Sequence, residues 1–419
     1  MNPISAAGAP LAGVRVADLS RVLAGPYATM LLADLGAEVV KVESPRHGDD
    51  TRSWGPPWAG GESAYYLAVN RGKRSLAVDL KDPDGLAAVR ELCARSDIVV
   101  QNFRPGVVDR LGLDHAAVRE RNPAVVYCSI SGFGPDHRPP DRPGFDLIVQ
   151  AESGLMAVTG EPAGPPVKVG VAITDVLTGL NAAVAVLGAL VRARATGRGE
   201  HVTVSLIGSA LSGLVNVAQS ALVTGEEPRR YGNTHASIVP YQAFGTADAD
   251  IVIAAGNDAL YQRLCAALDR PDLAADPRFA ANPGRVAHRA ELIGALSATL
   301  RERGAAEWLD RLRRAGVPAG RVRGVLDAVR AADEAGDDVT LSLPHPTAGP
   351  LDLVRAGFRP AAEPHGGTGE AAPPHGSPGP LPPPLLGQHS TAILAELGLS
   401  EQEIAAMVER GAVHQHETR

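Results

Sequence analysis

Asp175, in VGVAITDVLTG, follows an apolar run and opens a stretch with helical spacing. An aspartate in that setting can cap the helix, and it can also attack an acyl group, since the helix dipole favours the ionised form that a nucleophile needs. The second set of candidates is cationic. Arg71, Lys73 and Arg74 bunch in NRGKRS, Lys81 follows a short apolar run, and QNFRPGVVDRLG adds Asn102, Phe103, Arg104 and Arg110. These residues suit an anionic, adenine-bearing ligand, and they equally suit a solvated surface. Gly256-Asn257-Asp258 reads as a turn that caps the next helix. His235 suits a turn or surface position; His414 and His416 lie in a polar tail without a nearby cysteine, so no metal site is expected there.

Several common chemistries lack their tools. The first strand-to-helix turn, DLSRVLAGPYAT, has no GxGxxG, so no backbone cradle for a dinucleotide is expected. No GxxxxGK[ST] loop, GxSxG elbow or HExxH pair occurs either.

The elements that must position these residues alternate between β-rich runs and helical patterns. Strands are predicted at 14–19, 38–42, 75–80, 97–103 and 124–130, with helices at 26–35, 83–95 (capped by Asp82) and 115–121. This is the pattern of an α/β fold with a doubly wound, mostly parallel sheet. Ligands of such sheets gather at the carboxyl ends of the strands, in loops starting near Ser20, Glu43, Lys81, Asn102 and Ser131. A long helix at 175–194, a strand at 201–206 and a helix to about 223 complete a first large segment, 1–222. A linker at 223–234 leads to a smaller α+β domain at 235–331, with a hairpin at 238–244 and 251–255 and helices at 259–268, 285–303 and 306–315. Residues 332–419 return to the large domain. Within them, the Pro- and Gly-rich stretch 360–384 is expected to be a mobile insertion and 390–409 to be helical.

Composition bounds the rest. The chain has 419 residues, 45% of them hydrophobic, and a net charge of −7, which gives no general field for nucleic acid or an anionic membrane. Cys93, Cys128 and Cys265 are widely spaced in apolar segments and read as buried thiols of a cytoplasmic protein. No apolar run reaches the roughly 18 residues of a membrane span without a charge or glycine, and the start MNPISAAGAP does not read as an export signal.

The ordered segments PLAGVRVADLSRVLAGPYATMLLADLGAEVVKVE, GDDTRSWGPP, NRGKRSLAVDLK, QNFRPGVVDRLG, SISGFGPDHRPPDRPGFDLIVQAESGLM, VGVAITDVLTG, VPYQAFGT and GNDALYQRLC resemble class III CoA-transferases, the CaiB/BaiF family, which includes related α-methylacyl-CoA racemases. The resemblance covers nearly the whole chain outside the Pro-rich stretch. It implies a Rossmann-like large domain built from both ends of the chain, a small domain between them and an interlocked homodimer, with CoA as a substrate and no permanently bound cofactor. By motif position it implies Asp175 as the catalytic carboxylate, passing through an aspartyl anhydride and an enzyme–CoA thioester. Lys81, Asn102, Phe103 and Arg110 match CoA-holding positions, and Val22 and Val78 match apolar lining positions. Gly256 and Asn257 are candidates for covering the intermediates with N–H groups. Oxalate-specific members have glutamine at Leu23 and arginine at Ser44. Racemases have histidine at Phe145 and a glutamate in the loop of Asn257 and Asp258, so transfer is favoured over racemisation. Passive CoA binding is a third possibility. GNTHASIVPYQAF resembles members acting on dicarboxylates, so His235, with Arg230 nearby, either greets a distal carboxylate or braces the linker; succinyl-CoA is a candidate donor.

Overall fold

Valine- and isoleucine-rich runs alternate with helices through the first half of the chain, and each run forms a strand: β1 (Arg15–Asp18), β2 (Glu38–Glu43), β3 (Lys73–Val78), β4 (Ile98–Gln101), β5 (Val126–Ser131) and β6 (His201–Ser205). Three more follow in the middle of the chain, β7 (Tyr241–Gly245), β8 (Asp250–Ala254) and β9 (Ala319–Arg321). The return segment adds β10 (Thr340–His345), β11 (Gly349–Val354) and β12 (Val413–His414). The computed structural model describes residues 9–139, 142–358 and 380–416. They divide into two units, one spanning Met1–Leu155, Val169–Val223 and Asp338–Arg419, the other Met156–Lys168 and Thr224–Asp337. Residues 156–168, read from sequence as part of the large domain, therefore group with the second unit.

In the first unit the sheet runs β12-β3-β2-β1-β4-β5-β6, parallel throughout except for β12, which pairs antiparallel with β3. The strand order reverses between β1 and β4. The loops leaving these two strands diverge and open a crevice at their carboxyl ends, where ligands of this fold bind.

Helices cover both faces. On one side α1 (Ala24–Asp34) packs on Val16, Val39, Ile98 and Val126. On the other, α2 (Pro83–Ala94) joins the C-terminal residues Ile393, Leu394 and Met407 over Ala17, Val40 and Val99. Asp82 caps α2 by accepting from the N–H groups of Asp84 and Gly85, and Pro83 fits its first turn, where no N–H partner is needed. Next come α3 (His115–Arg121), α4 (Asp146–Glu152) and α5 (Ile173–Thr196). By length and composition α5 could cross a membrane, with a mean hydropathy of 1.8 over its most apolar window, even though Gly179 and Gly188 interrupt it. Its Ala182, Val186, Ala189 and Leu190 are core residues against the sheet, while Leu180, Val184 and Val191 are exposed.

Some predicted elements are divided. The helix expected to run to 223 is α6 (Leu206–Gly213) and α7 (Val215–Thr224), bent by 80° at Val215, whose φ is +40°. The C-terminal helix breaks into Ser390–Glu396 and Glu401–Glu409, because Gly398 takes φ +100° and Ser400 forms a capping box with Glu403. In the second unit, 285–303 is two helices, Asn282–Ala287 and Arg289–Leu300. The β10–β11 hairpin was not expected. Of the expected mobile insertion, 360–379 lies outside the described residues, and 380–384 is packed: the Leu381 carbonyl accepts from Gly72 N at 2.7 Å and that of Pro384 from Arg52 at 3.0 Å. The three cysteines are free and buried, and burial pushes the Cys93 and Cys128 thiols up to about 12, so neither is a thiolate near neutral pH.

Candidate active site

The loops after β1 to β4 enclose a cavity of about 370 Å³, lined by Leu19, Arg21, Lys41, Ser44, Val78, Lys81, Phe103 and Arg110 among others. Lys81 and Arg110 are exposed, and neither pairs with a carboxylate among the described residues, which leaves both cations available to an anion. Phe103 lies 5.8 Å from the Arg21 guanidinium and offers a flat apolar face. Phosphates and an aromatic base are the chemistry this lining suits.

The other cationic cluster does something else. Arg71 is buried against Asp34 at 2.6 Å, Lys73 against Asp18 at 3.0 Å, and Arg74 against Glu38 and Glu396 at 2.8 Å each. Their expected role toward a ligand is thereby corrected: all three are internal ion pairs of the fold. Asn102 is also engaged, exchanging two hydrogen bonds with the backbone of Arg21 at 2.9 and 2.8 Å.

Asp175 is the third residue of α5 and does not cap it. The cap comes from Asp146 in the first turn of α4, whose Oδ1 accepts from Thr174 N at 2.9 Å and Thr174 Oγ1 at 2.7 Å, while Gln150 donates to Oδ2 at 2.7 Å. Asp146 thus takes the capping role expected of Asp175 and leaves the Asp175 carboxyl free. Ala172 and Val176, on either side of Asp175, pack with Val22, Leu23, Tyr27 and Tyr65 around buried Met30 and Val69. Val22 therefore joins the apolar patch near Asp175, and Val78 lines the cavity.

These surroundings set the chemistry of Asp175. Burial, then the negative charge of Asp146, push its carboxyl up to about 7, against the expectation that the helix start would keep it fully ionised. Tyr65, raised to about 12 by burial and by the charges of Asp175, Asp146 and Asp49, keeps its phenolic proton. A carboxyl balanced between its two forms near neutrality, beside apolar side chains, can attack an acyl group as an anion.

A pH dependence follows. The reactive form is deprotonated, so kcat/KM of the free enzyme should rise with pH through about 7 and level off above it. Asp146→Asn keeps an oxygen to accept from Thr174 but removes the like charge, which lowers the pKa of Asp175. The rising limb should then move to lower pH; an unmoved limb in this variant would refute the coupling.

In the second unit, Asn257 is the N-cap of α8 (Asp258–Ala267), its side chain accepting from Leu260 N at 2.8 Å. Asp258 pairs at 2.7 Å with Arg285, whose side chain is fully buried. Gly256 has open space where a Cβ would sit. Arg230 donates to the carbonyls of Glu161, Ala157 and Gly164, and the His235 ring lies tilted by 58° against that of Tyr241, 5.4 Å away, while its Nδ1 accepts from Ser237 N. This favours the bracing role over carboxylate capture. Phe145 directly precedes α4 and is 58% exposed.

Sequence reasoning passed over Tyr65, the capping role of Asp146, and the buried charges Lys41, Glu43 and Asp49. A signal for Lys41 and Glu43 was present: β2 reads EVVKVE, and charges inside a strand covered on both faces need internal partners, of which Asp49 is one.

A family model described as CoA-transferase family III matches residues 11–378. The chain is 41% identical to human "Succinyl-CoA:glutarate CoA-transferase" over 410 residues, 98% of this chain and 91% of that protein. It is 40% identical to "Acetyl-CoA:oxalate CoA-transferase" of Acetobacter aceti over 79% of this chain and 85% of that protein. A crystal structure of a CAIB/BAIF family protein from Brucella suis superposes with a TM-score of 0.80 at 38% identity, covering 93% of this chain and 99% of that one.

Proposed function

Because the chain belongs to CoA-transferase family III, we propose that it carries CoA from succinyl-CoA to a free dicarboxylic acid of similar length, such as glutarate, with Asp175 as the temporary carrier. The observation that carries this reading is Asp175 itself, a half-buried carboxyl that caps nothing, pushed up to about 7 beside the apolar patch that includes Val22 and Leu23.

An Asp175 oxygen attacks the thioester carbonyl; the C–S bond breaks and the sulfur leaves with its electron pair as CoA thiolate, giving a mixed anhydride. The thiolate then attacks the aspartyl carbonyl, expels the donor acid as its carboxylate and leaves CoA bound to Asp175 as a thioester. The acceptor carboxylate repeats these steps in reverse order. No proton is consumed overall, so no separate acid or base is needed. Lys81 and Arg110 hold CoA phosphates and Phe103 carries its adenine, with Val78 as apolar lining; CoA is a substrate, with no resident cofactor. Apolar Leu23 beside Asp175 suits the methylene chain of a longer diacid better than oxalate.

The test is a set of incubations with succinyl-CoA and glutarate, oxalate or acetate, followed by the mass of the thioester product. Glutaryl-CoA should form fastest. Plain hydrolysis, or no exchange with any acid, would contradict the reading. The racemase alternative is disfavoured by Phe145, which cannot move a proton, and by Asp258, which is tied to Arg285.

The partner is a second copy of the chain. Val184, Val191, Leu222 and Val223 are each at least 70% exposed along α5 and α7, more apolar side chain than a lone subunit would leave in water. A solution mass near 43.4 kDa, that of one chain, would contradict a dimer. The free thiols fit the reducing cytoplasm.

A further inference from the structure

The turn at 20–23, between β1 and α1, is held through the backbone of Ser20, Arg21 and Val22 by side chains from outside it. The Ser20 N–H donates to Asp18 at 3.0 Å, and the Ser20 carbonyl accepts from Lys41 Nζ at 2.9 Å. Arg21 is gripped on both backbone atoms by Asn102. The Val22 N–H points between the two carboxylate oxygens of Asp49, 3.2 Å from each. Val22 has φ +71°, a left-handed conformation that a β-branched residue adopts only under constraint. Lys41 and Asp49 pair at 2.8 Å, and both side chains are entirely buried. Asp49 is fixed in turn by Glu43, which accepts from its N–H at 3.0 Å, and by Thr51, whose N–H and hydroxyl donate to it at 3.0 and 2.7 Å.

This turn has two working faces. Leu19 and Arg21 line the cavity, while Val22 and Leu23 lie in the patch with Ala172 and Val176, the neighbours of Asp175. Moving the turn would disturb both at once. We infer that the buried Lys41–Asp49 pair is a positioning device, which holds the 20–23 turn in its left-handed form so that the CoA cavity and the Asp175 carboxyl stay aligned. Glycine takes such a left-handed position without steric penalty, so a turn needed only for the fold has no use for a β-branched residue there. Here a valine, whose side chain packs toward Asp175, is kept, and the carboxylate behind it supplies the constraint.

The inference rests on the CoA-transfer reading, and the experiment separates the two. Exchange between succinyl-CoA and glutarate is measured for the parent protein and three variants, and CoA affinity is measured directly by calorimetry. A parent without exchange refutes the CoA-transfer reading; the role of the pair is then read from CoA affinity in the same variants. Asp49→Asn should lower kcat/KM by about 100-fold, as expected for a misplaced reacting group, with kcat reduced and CoA affinity weakened together. Adding Val22→Gly to Asp49→Asn should recover about tenfold, because glycine takes the positive φ without a clamp. Lys41→Met with Asp49→Leu removes both buried charges together, a replacement that proteins often tolerate in stability, and it should be folded but slow. Full exchange in that double variant would overturn the inference, as would no recovery on adding Val22→Gly. Unfolding of both double variants would overturn it too, by making the pair a requirement of the fold.

Discussion

Asp175→Ala should lower CoA exchange by at least ~10⁴-fold while CoA affinity changes less than about threefold, the pattern of a lost nucleophile in an intact binding site. Asp146, the carboxylate whose charge acts on Asp175, cannot take its place: both its oxygens are engaged, by Thr174 and Gln150. The cations and the aromatic face that suit CoA lie on other loops, after β3 and β4. Thioester mass measures the exchange and calorimetry the affinity. Residual exchange within about tenfold of the parent would assign the carrier role to another residue.

Lys73→Met should destabilise the protein by about 3–5 kcal/mol, the usual cost of removing one partner from a buried pair. Lys73 Nζ donates to Asp18 at 3.0 Å, to Asn70 at 2.9 Å and to the Pro26 carbonyl at 2.8 Å, with both charged side chains fully buried. Burial alone would raise the Asp18 pKa, but Lys73, Lys41 and the hydroxyls of Ser20 and Thr29 outweigh it and hold the carboxyl at about 2. Its contribution to stability is therefore present above the ordinary carboxylate pKa and is lost as pH falls toward 2. Without Lys73 the carboxyl protonates more readily, so acid unfolding should begin at higher pH. Chemical denaturation across pH checks both points, and Asp18→Asn added to Lys73→Met should restore much of the loss. A single variant within 1 kcal/mol of the parent would mean that Lys41 alone can satisfy Asp18.

How much of this was legible in the sequence depended on the distance between partners. The strands were readable because valine-rich runs between helix patterns have few alternatives, and Asp82 and Pro83 announced the start of α2 locally. Lys81, Phe103 and Arg110 were readable as a group because all follow strands at the ligand side of the sheet. Arg71, Lys73 and Arg74 looked the same but were not, since their partners Asp34, Asp18 and Glu396 lie 37, 55 and 322 residues away. The same holds for Asp146, which caps a helix 28 residues further on and so frees Asp175. Helix breaks at Val215 and Gly398 depend on backbone conformations that tertiary packing selects, and the pairing of β12 with β3 joins residues at opposite ends of the chain. The resemblance gave Asp175 by position; only the fold explains why its carboxyl is free and close to neutral.

The most direct measurement is the mass of the protein after brief exposure to succinyl-CoA without an acceptor acid, with and without hydroxylamine, followed by peptide mapping. CoA covalently attached through Asp175, replaced by a hydroxamate on the same residue when hydroxylamine is present, is the predicted result. An unmodified Asp175 under conditions where exchange with glutarate proceeds, or an adduct on a different side chain, would contradict the account.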